Sequence, residues 1–172
     1  PEIETCTFTD LDIKKLIEIN CFPNETVFHP FDQNLRSDMI SKKWVCFPVT
    51  PFKMGFTYPF PEIVNEFFQR TGLSYIQAMP MLWRVLFMVN HLKSLHSLDF
   101  DIEELASVYE IKSHGSSRYL MKVKPGQEHL ILKTTQNYDL WKKQFFFVER
   151  SSIEGGPELP YRWHTGRRIL YP

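Results

Sequence analysis

The sequence predicts an α+β domain, with a mainly helical core of three to four helices and a small antiparallel sheet in the C-terminal third. Three observations support this prediction. Apolar residues recur at helical spacing in four stretches between residues 10 and 109. Apolar and polar residues alternate from 119 to 124, and a wholly apolar run follows at Phe145–Val148, both of which are typical of strands.

Length and composition predict a single globular domain over residues 1–150. The chain has 172 residues, of which 43% are hydrophobic and 23% charged, so it can bury enough apolar surface to offset the entropy lost on folding. Residues 151–172 include Gly155, Gly156 and Pro157, which interrupt regular structure. We expect this segment to be an extended tail that packs on the domain or links it to a following region.

The first two helices have recognisable end signals. Thr9 or Asp10 can cap a helix that ends near Asn20. Pro61 suits the first turn of a second helix, because its missing N–H is not needed there. Gly72 follows the last apolar position of that helix and can adopt the left-handed conformation that ends it.

Two further helices are predicted in the middle of the chain. Pro80 begins the third, which runs to about Leu95 and is expected to be the central core helix. Asp101 and Glu104 have the spacing of a capping box, in which each side chain accepts a hydrogen bond from the other residue's backbone N–H. We therefore expect a fourth helix from this point through Tyr109.

The strands are predicted from the alternation of apolar and polar residues and from the turn residues between such segments. The alternating segment at 119–124 lies between turns at His114–Ser117 and Pro125-Gly126. Because the second turn is short, we expect this segment to form a hairpin with a strand at His129–Leu132. The run Phe145–Val148 adds a third strand to this small antiparallel sheet. A separate strand is expected at Lys43–Phe47, within a proline-rich stretch otherwise predicted to be a long loop.

The net charge is zero, but it is unevenly distributed. Residues 1–110 carry nine basic and fifteen acidic side chains, whereas residues 111–172 carry eleven basic and five acidic ones. Two explanations remain open. The halves can attract each other within one fold, or the C-terminal part can present a basic face to phosphate groups.

The cysteines and the longest apolar stretch indicate the compartment. Cys6, Cys21 and Cys46 are odd in number and far apart, which argues against a disulfide framework and for a reducing, intracellular setting, cytoplasmic or nuclear. The stretch Met79–Val89 is much shorter than the ~20 residues that a membrane span needs. We therefore expect no membrane partner.

No motif predicts an active site. The glycines lack the spacing of nucleotide-binding loops, and the cysteines are too far apart for a zinc site. The carboxylate cluster Asp99–Glu104 could hold a divalent cation, and an enzymatic interpretation would depend on it, although capping of a helix start explains the same residues. We predict a protein that is not an enzyme and binds neither a cofactor nor a metal.

Two segments combine cations with aromatic rings, one at Trp141–Phe147 and one that begins at Tyr161. Aromatic rings can stack on bases while neighbouring cations neutralise phosphates. The alternative is that Phe145–Val148 is a buried strand and that the tryptophan near the C-terminus packs the tail on the body. The candidate nucleic-acid contacts are Lys142, Lys143, Arg162, Trp163, Arg167 and Arg168.

Read in order, the elements resemble the plant domain known as the putative gypsy-type transposon, or putative plant transposon protein, domain. The resemblance covers nearly the whole chain. It rests on five blocks in order: an opening helix and its proline (Leu11–Pro23), an entry to a helix (Lys53–Pro61), a Gly-Leu…Gln…Pro…Trp block (Gly72–Arg84), Trp141–Val148, and Pro160–Trp163. The chain departs from the common pattern at Met79–Leu82, where a Pro-Asn dipeptide often precedes the tryptophan.

The resemblance implies a gag-like or accessory region of a plant retroelement protein, or a host protein derived from one. It implies no catalytic residues. We therefore expect a non-catalytic interaction or assembly module that works by self-association or by holding a protein partner. The alternative is a nucleic-acid-binding module that binds RNA or DNA through the basic aromatic C-terminal third.

Overall fold

The computed structural model describes residues 4–19, 21–115, 117–128 and 140–164. Within these ranges five helices and four strands confirm the α+β class. Short 3₁₀ turns at Tyr75–Gln77, Trp141–Lys143, Arg150–Ser152 and Gly156–Glu158 connect them. The elements are, in order, α1 (Asp10–Glu18), β1 (Trp44–Pro48), α2 (Thr50–Lys53), α3 (Glu62–Thr71), α4 (Pro80–His96), α5 (Ile102–Val108), β2 (Tyr109–His114), β3 (Arg118–Val123) and β4 (Phe145–Glu149).

Capping boxes begin two helices, as the sequence predicts. In α1 the Asp12 carboxylate accepts a hydrogen bond from the Thr9 N–H at 2.9 Å. In α5 the Asp101 carboxylate accepts from the N–H groups of Glu103 and Glu104, at 2.9 and 3.1 Å, and the Glu104 carboxylate accepts from the Asp101 N–H at 2.9 Å. Two of the clustered carboxylates considered as cation ligands are therefore engaged in helix capping.

The central helices also lie where they are expected. α3 ends at Gly72, whose φ of +68° is the left-handed conformation that a glycine adopts without strain. α4 begins at Pro80 and has buried residues as far as Val89, after which its residues are half-buried or exposed. α5 stops at Val108, one residue before the predicted end, because Tyr109 begins β2.

The strands pair differently from the single sheet that the sequence predicts. β4 pairs antiparallel with β1, and β2 pairs antiparallel with β3, which follows it in the chain, giving two sheets of two strands in the described part of the chain. All four residues of Phe145–Val148 are buried, so this strand needs a partner that is covered on both faces, as β1 is. The predicted strand His129–Leu132 lies outside the described residues.

The core is dominated by aromatic rings that come largely from the long loop before α3. The side chain of Phe47 in β1 is fully buried. The rings of six residues lie around it with centroids 5.0 to 6.1 Å away: Phe22, Phe52, Tyr58, Phe60, Tyr75 and Phe146. Aromatic pairs at these separations stabilise a fold beyond the area that they bury.

Among the described residues, none of the helices combines the length and the apolar character that a bilayer crossing requires.

Phe47→Ala should strongly destabilise the fold, because it removes the ring at the centre of this cluster and leaves a cavity. We expect the free energy of unfolding to fall by about 3–5 kcal/mol, measured by urea denaturation. Phe31→Ala is the matched control, since that ring is already 36% exposed, and it should cost less than about 1 kcal/mol. Equal losses in the two variants would contradict the central position of Phe47.

Candidate interaction groove

A groove of about 570 Å³ lies between α3 and the segment 154–162. Tyr58, Phe68 and Tyr75 line it and are almost entirely buried, so they form a fixed apolar floor. One wall carries the side chains of Asn65 and Gln69 from α3. The other wall and the rim are formed by Glu154, Gly155, Pro157, Glu158, Leu159, Pro160, Tyr161 and Arg162.

The Tyr58 hydroxyl fixes the start of the outer wall. It donates a hydrogen bond to the backbone carbonyl of Glu154, while its ring packs against Phe47 in the core. Burial is the main cause that raises the Tyr58 pKa to about 12. The hydroxyl therefore remains a hydrogen-bond donor at neutral pH.

Arg150 holds the middle of the wall. Its Nε donates to the Gly156 carbonyl at 2.9 Å, its Nη1 donates to the Lys42 carbonyl at 2.8 Å, and its Nη2 donates to the Pro157 carbonyl. The guanidinium carbon also lies 4.4 Å from the centroid of the Tyr161 ring. One arginine thus satisfies three carbonyls of irregular backbone and orients a ring of the groove.

Gly156 permits this arrangement. A Cβ atom at that position would lie 1.6 Å from the Arg150 carbonyl oxygen, far inside van der Waals contact. The sequence suggests only that this glycine interrupts regular structure. In the structure a glycine is required here, because the backbone of Arg150 approaches it closely.

Gln77 anchors the end of the described chain. Its side chain is fully buried, its Nε2 donates to the His164 carbonyl at 3.0 Å, and its Oε1 accepts from the His164 N–H at 2.7 Å. The Oε1 atom also accepts from the Ser74 N–H at 3.1 Å. A side-chain amide therefore pairs with the His164 backbone in the way that a neighbouring strand would.

The structure describes four of the six predicted nucleic-acid contacts. Lys142 and Lys143 lie in the 3₁₀ turn Trp141–Lys143, with Lys143 exposed. Arg162 is exposed and lines the groove. Trp163 is half-buried, and its indole N–H donates to the Ser37 carbonyl at 3.0 Å. Arg167 and Arg168 lie outside the described residues.

The two basic aromatic segments meet at Arg118, which sequence reasoning did not single out. Its guanidinium carbon lies 5.2 Å from the centroid of the Trp141 ring and 4.8 Å from that of the Trp163 ring. It donates to the Ile76 carbonyl, and burial lowers its pKa. The signal available in the sequence was a cation at the start of the alternating segment Arg118–Val123, directly before the aromatic Tyr119.

This arrangement gives Trp163 a packing role. Its ring lies against the Arg118 guanidinium, and its N–H is already bonded, so the indole is engaged with the body of the protein. A ring used in this way is a poor platform for a stacked base. The geometry favours the alternative that the sequence left open, in which this tryptophan packs the C-terminal segment on the domain.

Among the described residues, cysteines and other metal-ligating side chains do not converge on a metal site. Cys6, Cys21 and Cys46 are buried free thiols, and desolvation raises the pKa of each. Over residues 4–19, 21–115, 117–128 and 140–164, no three side chains of His, Cys, Asp or Glu come close enough together to hold a metal ion.

Comparison with known proteins adds no further information. No protein-family model matches the chain, and no curated protein and no solved structure matches it significantly either. The groove must therefore be interpreted from its own geometry.

The Tyr58 hydroxyl should make stability depend on alkaline pH. The Tyr58 pKa is about 12 in the folded protein and about 10 in an unfolded chain. Between these values the unfolded chain loses a proton that the native protein keeps, so the free energy of unfolding should decrease as the pH rises from 10 to 12. Tyr58→Phe should show a smaller decrease over this range, measured by denaturant titration at successive pH values. An identical pH dependence in the two proteins would contradict the role of this hydroxyl.

Proposed function

We propose that this chain is a non-catalytic interaction module that holds an extended segment of a protein partner in the groove between α3 and residues 154–162. The observation that carries the proposal is the fixed outer wall of the groove, held by Tyr58 and Arg150, while Gln77 fixes His164 just beyond it. In line with the family resemblance, we further propose that the parent protein is derived from a plant retroelement and resembles its gag region.

A fixed wall supports binding because it lowers the entropic cost of association. Residues 154–162 contain little regular structure, and such a segment would ordinarily have to be ordered when a partner binds. Here a tyrosine hydroxyl and an arginine already hold its backbone carbonyls. The groove is therefore formed before the partner arrives.

The lining of the groove matches the chemistry of a peptide. The exposed ring of Pro157 and the half-buried ring of Tyr161 offer apolar contact, and the exposed amide of Gln69 can pair with the peptide groups of an extended chain. Glu158 and Arg162 at the rim give charges of both signs. The volume lies within the range of ordinary ligand sites, roughly 300–1,000 Å³, and suits a short segment better than a folded domain.

Selection from a phage-displayed library of random peptides tests this proposal directly. We expect enriched peptides to bind the purified protein and to lose at least about tenfold in affinity to the variant Gln69→Trp, because a bulky ring on α3 fills the groove. Isothermal titration calorimetry with one synthetic peptide would measure the change.

Glu62→Trp is the matched control, since it places the same ring at an exposed position on the same helix outside the groove. It should bind the peptide as the unmodified protein does. Failure to enrich any peptide, or equal affinities for the two tryptophan variants, would refute the groove as the binding site.

A second candidate function, nucleic-acid binding, is favoured by one observation. Lys142 and Lys143 form no ion pair among the described residues, and the Lys53 ammonium approaches the same turn, where it donates to the Gln144 side-chain oxygen at 2.6 Å. Three cations close to one turn can contact phosphates.

For this candidate the double variant Lys142→Ala/Lys143→Ala should weaken binding to labelled single-stranded RNA. Its salt dependence should flatten by roughly 0.7 logarithmic units for each phosphate that the lysines no longer neutralise, measured by fluorescence anisotropy at several salt concentrations. The control is Lys14→Ala/Lys42→Ala, which removes two exposed lysines elsewhere. A salt slope that both double variants share with the unmodified protein would place the phosphate-binding cations at other positions.

A further inference from the structure

Strand β2 is an edge strand in the described part of the chain. β3 pairs with it along one side, from Tyr109↔Val123 to His114↔Arg118. On the far side of β3 an isolated bridge joins Tyr119 to Ala78. No strand or isolated bridge among the described residues pairs with the other side of β2, and its last three residues are exposed.

The ladder determines which backbone groups face outward. The Lys124 N–H donates to the Val108 carbonyl at 2.8 Å, so these two residues form a hydrogen-bonded pair just beyond the strands. In an antiparallel ladder such pairs alternate with pairs that exchange no hydrogen bonds. Consequently the N–H and C=O groups of Ile111 and Ser113 point away from β3, toward the open edge.

The charged side chains of this edge are complementary to those of a second, antiparallel copy of the same strand. Glu110 and Lys112 are two residues apart, so they share one face of the strand, where their charged groups lie 3.1 Å apart. If a second β2 pairs antiparallel with Ile111 opposite its own counterpart, then Glu110 of each copy lies directly opposite Lys112 of the other. In the same register the outward groups of the two Ile111 residues bond to each other.

We propose that the β2 edge is a homodimerisation site, at which a second copy of this chain adds its β2 in antiparallel register centred on Ile111. The inference rests on the proposed function of an interaction and assembly module but uses residues outside the groove. Its failure would therefore leave the peptide-binding prediction unaffected.

Charge explains why the occupant is a second copy in this orientation. Edge strands commonly carry lysine to prevent pairing, yet here Lys112 is accompanied by a glutamate two residues earlier, which would face it across a two-fold axis at Ile111. Residues 110 and 112 would form pairs without hydrogen bonds, in which opposing side chains approach most closely. A parallel, in-register pairing would instead place Glu110 against Glu110.

The dimer should be weak, because two short strands bury much less than the roughly 1,200 Å² of a stable interface. Sedimentation velocity from micromolar to millimolar protein tests it. We expect concentration-dependent dimerisation of the unmodified chain. Glu110→Lys and Lys112→Glu should each weaken it at least about tenfold, because like charges then face each other.

The charge-swap variant Glu110→Lys/Lys112→Glu should restore dimerisation, since it recreates two opposite-charge pairs at an unchanged net charge. Glu25→Lys, an exposed charge reversal elsewhere, should dimerise as the unmodified chain does, and circular dichroism would confirm that each variant is folded. A monomer at millimolar concentration, or a charge-swap variant that stays as weak as the single variants, would overturn the proposal.

Discussion

The pairing of β1 with β4 is the interaction on which the rest of the structure depends. Val45, Phe47, Phe145 and Val148 are all fully buried, and a pair of strands cannot cover its own two faces. One face carries the stacked rings of Phe47 and Phe146. The aromatic residues of the long loop and of the 3₁₀ turn before α4 must therefore pack on that face, which determines where α3 and α4 lie.

The opposite face explains the position of Arg118. Cys46 lies on that face, where burial raises the pKa of its thiol and the charge of the Arg118 guanidinium opposes part of that rise. A half-buried cation needs hydrogen bonds and favourable surroundings, and Arg118 obtains them from a backbone carbonyl and from the rings of Trp141 and Trp163. Arg118 thereby joins the turn that contains Trp141 to the C-terminal segment that contains Trp163.

Polar side chains, more than regular structure, hold the C-terminal segment on this core. Arg150 and Gln77 each bond to several backbone groups that no strand or helix would otherwise satisfy. Some of the basic and aromatic character of the C-terminal third therefore serves packing. Lys143 in the turn Trp141–Lys143 and the last three residues of β2 are, by contrast, exposed.

Local signals in the sequence determined the helix ends and the fold class. The capping residues Thr9 and Asp101, and the glycine at position 72, act through neighbours three or four residues away, so the sequence pattern alone identifies them. Strand pairing, the groove and the role of Arg118 were decided only by the tertiary structure. The run Phe145–Val148 indicates burial but not its partner, because apolar burial is non-directional and the matching strand lies about a hundred residues earlier.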